Sequence, residues 1–371
     1  MQIENICLAQ ALGAFPFEGK IVALEPFGSG HINDTYAVYT EKGGSKTISY
    51  ILQRLNTHVF TRPREVMENI AGVTNYLHKG LPECEKEAGR SVLRFLQTAD
   101  GEYAYYDTEG MPWRSYCFIA QSYCYNQSPS PDVFYESARA FGSFLHDLRD
   151  YPAETLHETI PRFHDTPNRL QQLKDAVQQD PMGRVATCEA EIEFALQREK
   201  DCALLTDMAA RGELPLRVTH NDTKLNNVLF DEETNRALCV IDLDTIMPGL
   251  ALYDFGDSIR FGATTAAEDE EDLSKVQFSL PLYEAYTKGY LETAGKALTP
   301  AEKFMLPQSA RILTLECGMR FLADYIMGDS YFKVSRPGQN LARCRTQFTL
   351  AQQMEHAMDE MAAIAERYDN Q

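Results

Sequence analysis

The sequence predicts an α+β protein in two parts, a small N-terminal one built on an antiparallel sheet and a larger, mostly helical one. Three observations carry this. Between Lys20 and Asn56, apolar β-rich runs are broken twice by polar, glycine-containing turns, which gives consecutive hairpin-linked strands. After Ser128-Pro129-Ser130-Pro131 the apolar spacing becomes helical and stays so. Within that helical half, Asn227-Val228-Leu229-Phe230 and Leu238-Cys239-Val240-Ile241 flank the polar turn Asp231–Asn235, a further hairpin with carboxylates and amides at its strand ends.

In order, residues 3–14 make a short amphipathic helix with Ile3, Ile6, Cys7 and Ala11 on one face. Lys20–Phe27 and Asp34–Thr40 are strands around the turn Gly28–Asn33. Glycine at such a tip tolerates positive φ and lets backbone amides approach a phosphate, although Gly-Ser-Gly alone is more often a plain turn. Gly43-Gly44-Ser45-Lys46-Thr47 is similar to the end of a P-loop, but it lacks the earlier glycine and joins strand to strand, so it is read as a loop. Lys46–Asn56 is the third strand, and Arg62–Leu77 a helix with Val66, Ile70, Val73 and Leu77 on one face. Ser91–Tyr106 and Trp113–Tyr125 are read as strands, with turns at Asp100-Gly101 and Glu109–Pro112. The two parts divide as 1–121 and 122–371. Phe134, Ala138, Phe141, Leu145 and Leu148 form a core-facing helical stripe, and 169–178, 189–211, 275–295, 301–328 and 339–367 are further helices. Glu268–Asp272 is a solvated loop.

Composition excludes several classes. With 371 residues and 44% apolar content the chain can bury a sizeable core, and its net charge of −19 argues against nucleic acid or an anionic membrane as partner. Nine cysteines without C-x-x-C spacing fit reduced thiols in a cytoplasmic protein. No apolar run approaches the ~18 residues of a membrane span, and the N-terminus has no basic, cleavable leader.

The stretch from Arg217 to Gly256 carries the chemistry. His220-Asn221-Asp222-Thr223-Lys224-Leu225-Asn226-Asn227 is an H-x-D-x-x-x-x-N string, and Asp242 follows the second apolar strand. The same Asp-to-Asn interval occurs in the catalytic loop of protein kinases, where the Asp receives the proton of the attacking hydroxyl and the Asn binds a metal. Phosphoryl transfer needs such parts because its transition state spreads negative charge over oxygens, leaving positioning and charge neutralisation to the protein. Asn227 and Asp242 offer the oxygen donors that Mg²⁺ takes.

With His220–Leu225, Ile241-Asp242-Leu243-Asp244-Thr245 and Met247–Asp257, the chain resembles the aminoglycoside phosphotransferase and choline kinase group of small-molecule kinases. Within that group it resembles the N-acetylhexosamine 1-kinases most, from Gly28 to about Arg345. The resemblance implies a two-lobed protein-kinase-like fold, ATP and Mg²⁺ as cosubstrate and cofactor, and a sugar as acceptor. Asp222 would be the base, Lys224 would touch the γ-phosphate, and Asn227 and Asp242 would hold the metal. His220 would support the loop. Ser29, Gly30, His31 and Asn33 would cover the phosphates and face the sugar. A kinase carries a lysine after Ile51-Leu52, but this chain has Gln53 and then Arg54. Either Gln53 takes the role by hydrogen bonding or Arg54 reaches round, with a structural Arg54 on the outer strand face an equal alternative. Glu65 or Glu68 would hold the strand residue, whichever of them faces out being solvated. Asp244 is open between second metal ligand, sugar contact and turn cap. Asp254-Phe255-Gly256 spells a metal-binding triplet of protein kinases, but it follows the Pro248-Gly249 turn and opens a helix, so Asp254 is read as structural.

Glu316, Arg320 and Asp324 recur every four residues on one helix face, which spacing alone reads equally well as a salt-bridge ladder. The resemblance favours Arg320, Asp324 and Tyr331 as sugar contacts. Two other readings stay open: the same chemistry on choline, homoserine, methylthioribose or an aminoglycoside, and a nucleotide-binding module without turnover, for which Gln53 speaks.

Overall fold

The computed structural model describes residues 5–28, 32–42 and 44–369. Its first elements are helix α1 (Ile6–Ala14), strands β1 (Lys20–Pro26), β2 (Asp34–Lys42) and β3 (Ser45–Arg54), helices α2 (Pro63–Gly80) and α3 (Glu83–Ala88), and strands β4 (Tyr105–Tyr106), β5 (Pro112–Cys117) and β6 (Ser122–Tyr123). Helices α4 (Pro131–Asp147), α5 (Thr166–Gln179), α6 (Glu189–Gln197), α7 (Glu199–Cys202) and α8 (Leu204–Ala210) follow, then strands β7 (Arg217–Thr219), β8 (Val228–Asp231), β9 (Ala237–Val240) and β10 (Met247–Gly249). The chain ends with α9 (Ala251–Gly262), α10 (Leu280–Ala294), α11 (Pro300–Met327), α12 (Gln339–His356) and α13 (Met358–Asp369). The α+β class expected from the sequence is the one observed.

Two compact units are discontinuous in sequence. The first comprises Met1–Tyr123, Asp150–Ile160 and Leu229–Met247. Its sheet runs β1-β2-β3-β5-β4, and every neighbouring pair is antiparallel. Strand alternation puts Val38, Tyr50, Leu52 and Trp113 on one face, where Cys7, Ala11 and Leu12 of α1 cover them. The Trp113 indole donates to Asp107 at 2.8 Å, so the buried ring keeps its polar edge satisfied. Gln53 and Arg114 are register partners, one on β3 and one on β5. Asn69 on α2 ties two distant segments down: its Nδ2 donates to the carbonyls of His157 and Ile246, and its Oδ1 accepts from His157 N.

The second unit comprises Cys124–Arg149, Pro161–Val228 and Pro248–Gln371. One apolar cluster joins α4, α9, α10 and the first half of α11; a second joins α5, α6, the later half of α11 and α12. Helix α11 begins with a capping box, Thr299 with Glu302, and ends at Gly328 in the left-handed region. Glu302 also receives the Arg217 guanidinium at 2.7 and 2.8 Å, fixing the strand that leads to the H-x-D string. A Cβ on Gly256 would meet Ser309 O at 2.7 Å, so α9 approaches α11 as closely as it does because this residue is glycine.

Several boundaries differ from expectation. Ser91–Tyr106 is not a pair of strands: Phe95 bridges to Tyr116 in isolation, and the chain then turns at Thr98–Glu102, where Thr98 N donates to Glu102 O. Only Tyr105–Tyr106 joins the sheet. The segment Glu83–Ala88, between the expected helix and Ser91, is a short helix. The single helix expected over 189–211 is three, because the chain turns at Arg198 and Ala203 to send Cys202 into one cluster and Leu205 into the other. The helix expected from 275 starts at Leu280, set by the Ser279 cap and Pro281. The last helix breaks at Ala357. Among the described residues no helix is long and apolar enough to cross a membrane.

Candidate active site

Strand β7 delivers the chain to His220 and Asn221, both buried. The His220 ring meets the edges of Phe141 and Phe144, with centroids 5.5 and 6.2 Å away. The start of α9 then holds the loop. Asp254 accepts from His220 N at 2.8 Å and from Asn221 N at 2.7 Å. Asp257 accepts from Thr223 N at 3.0 Å, and Ser258 Oγ donates to Thr223 O at 2.8 Å. Asp254 is therefore a support of the loop, as the sequence reading had it. Burial pushes its carboxyl pKa up, although the two N–H groups favour the ionised form.

With its backbone fixed, the loop presents three side chains together. Lys224 Nζ lies 2.7 Å from Asp222 Oδ1. Asn227 Nδ2 donates to Asp222 O at 2.8 Å and to Asp222 Oδ2 at 3.1 Å. His220 Nδ1 accepts from Asp222 N at 3.3 Å, which makes it a loop support. Burial works to raise the Asp222 carboxyl, but the Lys224 ammonium more than offsets it, and the pKa falls below the ordinary value. Burial likewise opposes the Lys224 charge, and Asp222 and Asp257 more than restore it. The arrangement is an ionised carboxylate beside a fixed cation. Because Asn227 uses its NH₂ on Asp222, its amide oxygen is the atom left to face a cation.

Residues the sequence reading passed over link α11 to this loop. His164 Nδ1 lies 2.8 Å from Glu316 Oε1, and its Nε2 lies 3.4 Å from Asn221 O. Thr166 Oγ donates to the other Glu316 oxygen at 2.6 Å. One turn beyond Glu316, the Arg320 guanidinium stands over the rings of Phe163, Phe332 and Tyr331 at 5.0, 5.5 and 6.0 Å. No hydrogen bond or ion pair engages Arg320 among the described residues.

Arg320 and Tyr331 are thus brought together, but Asp324 is corrected. It is buried, and its oxygens accept from the backbone N–H groups of Ser330, Tyr331 and Phe332 and from Asn340 Nδ2. With four donors it shapes the turn that presents Tyr331 and has no oxygen left for a ligand.

The first unit gathers a separate set. Arg114 is 3% exposed and pairs with Asp244, itself 4% exposed. Arg114 Nε donates to Gln53 Oε1 at 2.9 Å, and Gln53 Nε2 donates to Thr35 Oγ at 3.0 Å. Asn33 Nδ2 donates to the other Asp244 oxygen at 2.7 Å, while its Oδ1 accepts from Asn56 N. Burial opposes the Arg114 charge, but Asp244, with Asp242 further off, more than offsets it. Asp242 has φ 60° and ψ 59°, the left-handed region. This conformation costs a non-glycine residue about 1 kcal/mol or more and concentrates at functional positions.

Glu68 is also corrected. It pairs with His157 at 2.7 Å, and Glu65 with Arg62; the partner of Gln53 is Arg114. Arg54 stays on the outer side, where it pairs with Asp34 and lies over Trp113. Ser29, Gly30 and His31 lie outside the described residues. Arg114 carried one signal in the sequence, the single charge in a strand otherwise without one.

Residues 23–290 match the phosphotransferase enzyme family. Solved structures of the same fold include an aminoglycoside phosphotransferase from Alicyclobacillus acidocaldarius, 12% identical over 99% of this chain and 98% of that one, with a TM-score of 0.62. Another is amicoumacin kinase in complex with AMP-PNP, Ca²⁺ and Ami, 16% identical over 94% and 93%, with a TM-score of 0.59. Choline kinase from Cryptosporidium parvum is 14% identical over 94% and 93%, with a TM-score of 0.55.

Proposed function

The chain belongs to the phosphotransferase enzyme family, a family of small-molecule kinases, and from that premise we propose that it phosphorylates the anomeric hydroxyl of a free N-acetylhexosamine with ATP and Mg²⁺. Residues 1–121 would serve the nucleotide, and 122–371 the catalytic loop, the metal and the acceptor. The setting we propose is the cytoplasm, which the nine free cysteines fit.

Asp222 orients the sugar hydroxyl. Its low pKa makes it a weak base, which suits a loose transition state in which the oxygen–phosphorus bond forms while the bridging bond of ATP breaks. The hydroxyl proton ends on the Asp222 carboxylate and the leaving phosphate oxygen on ADP. Lys224, held by Asp222, supplies positive charge beside the transferring group. The Asn227 amide oxygen and the Asp242 carboxylate, hard donors of the kind Mg²⁺ takes, would hold it, and the bound ion would supply neutralisation of phosphate charge. Asp244, whose two oxygens are engaged by Arg114 and Asn33, fits a support for those side chains better than a metal ligand.

The observation that carries the acceptor is Arg320 among its three rings. A guanidinium in that place repels a quaternary ammonium or aminoglycoside cation. It offers donors to hydroxyl and acetamido oxygens, and the exposed Tyr331 ring offers a face for a sugar. The test is coupled ADP release with Mg·ATP against N-acetylglucosamine, N-acetylgalactosamine, glucose, choline, homoserine and kanamycin. Turnover with the N-acetylhexosamines, and loss of the reducing end in the product, is expected. Turnover with a cationic acceptor alone overturns the acceptor assignment, and no turnover with nucleotide still bound supports a binding module.

A further inference from the structure

A protein that holds triphosphate in a first unit rich in carboxylates needs a fixed cation there, and position 53, where a kinase carries lysine, is glutamine. The geometry points to Arg114 as that cation: displaced by one strand, from β3 to β5, it is the residue that contacts the nucleotide phosphates. This inference rests on the kinase reading above.

Four observations carry it. Gln53 and Arg114 face each other in the β3–β5 register, so a side chain from position 114 starts from the neighbouring place on the same face of the sheet. Gln53 is occupied in orienting Arg114, since its Oε1 accepts from Nε while its own amide is fixed on Thr35. The glutamine thus reads as a guide for the arginine. The guanidinium is almost wholly buried, where a charge persists only with a partner, and Asp244 provides one. Arg114 Nε and Nη1 are engaged by Gln53, Asp244 and the Met67 sulfur, whereas Nη2 carries no hydrogen bond among the described residues. A planar guanidinium with one edge held and one nitrogen open suits a phosphate oxygen.

A purely structural Arg114 would make the same ion pair, so the test separates ligand from fold. Binding of ADP and of adenosine is measured by calorimetry for the wild type, Arg114→Gln, Arg114→Lys and the swap Gln53→Lys/Arg114→Gln. The expected result for Arg114→Gln is an ADP affinity lower by about 10- to 100-fold with adenosine affinity unchanged. Arg114→Lys loses less, and the swap, which returns the charge to β3, recovers most of the loss. Should Arg114→Gln fail to fold, Gln53→Ala releases Nε alone and lowers ADP affinity several-fold without touching adenosine. Equal losses for ADP and adenosine, or none for ADP, overturn the inference. A wild type that binds ADP no better than adenosine overturns the kinase reading itself, before Arg114 is in question.

Discussion

Asp254 and Asn221 are 33 residues apart in sequence and joined by a 2.7 Å hydrogen bond from the Asn221 backbone N–H to the Asp254 carboxylate. Asn221 has φ 63°, a left-handed conformation that needs such support, and Asp222 is the next residue. Asp254→Asn keeps the size but turns one acceptor into a donor facing an N–H. The expected cost is about 1–3 kcal/mol of stability, with kcat down about tenfold or more, because Asp222 loses its fixed position. Thermal melting and steady-state kinetics check it; unchanged kcat in a destabilised protein would separate the loop from the chemistry.

The acid limb of activity should report Lys224. In the native protein Asp222 titrates below its ordinary value of about 3.9, so kcat/KM declines only at still lower pH. The sign follows: a depressed carboxylate contributes its ionised form above the ordinary pKa and loses it as pH falls through the lower one. Removing the ammonium in Lys224→Gln takes away the largest influence that opposes burial, leaving His220 and Arg260, and moves the acid limb upward. A pH profile of kcat/KM whose limb stays in place shows that another group titrates.

Arg320→Met should raise the acceptor KM about tenfold or more while leaving the nucleotide KM unchanged, the pattern of lost ground-state contact. Tyr331→Ala should act in the same direction. A change confined to kcat would instead show that Arg320 acts through Glu316 and His164 on the loop.

The parts legible in the sequence were those whose signal is local. Strand alternation around Gly28, the Asp222-to-Asn227 interval and the placing of Asp254 after a proline–glycine turn are written in adjacent residues. Arg114 and His164 were not legible, since their partners Asp244 and Glu316 lie 130 and 152 residues away. Glu68 was misassigned because a glutamate near the right helical position says nothing about a histidine at 157. Asp324 was misread because the helix-face pattern cannot register that the chain folds back four residues later and offers its N–H groups to the carboxylate.

Helix α11 runs for 28 residues, about 42 Å at the α-helical rise. Along it stand Glu302 at the strand that feeds the loop, Glu316 at His164, Arg320 among the rings of Phe163, Tyr331 and Phe332, and Asp324 at the turn that follows. Each successive residue is rotated by about 100°, so losing one residue between Glu316 and Arg320 would swing the end that carries Arg320 round while the loop end kept its place. Lineages that retune the acceptor should therefore exchange side chains in the last two turns and keep the helix at constant length. The place left for insertions is beyond Phe332, past the backbone N–H groups of Ser330, Tyr331 and Phe332 that Asp324 holds.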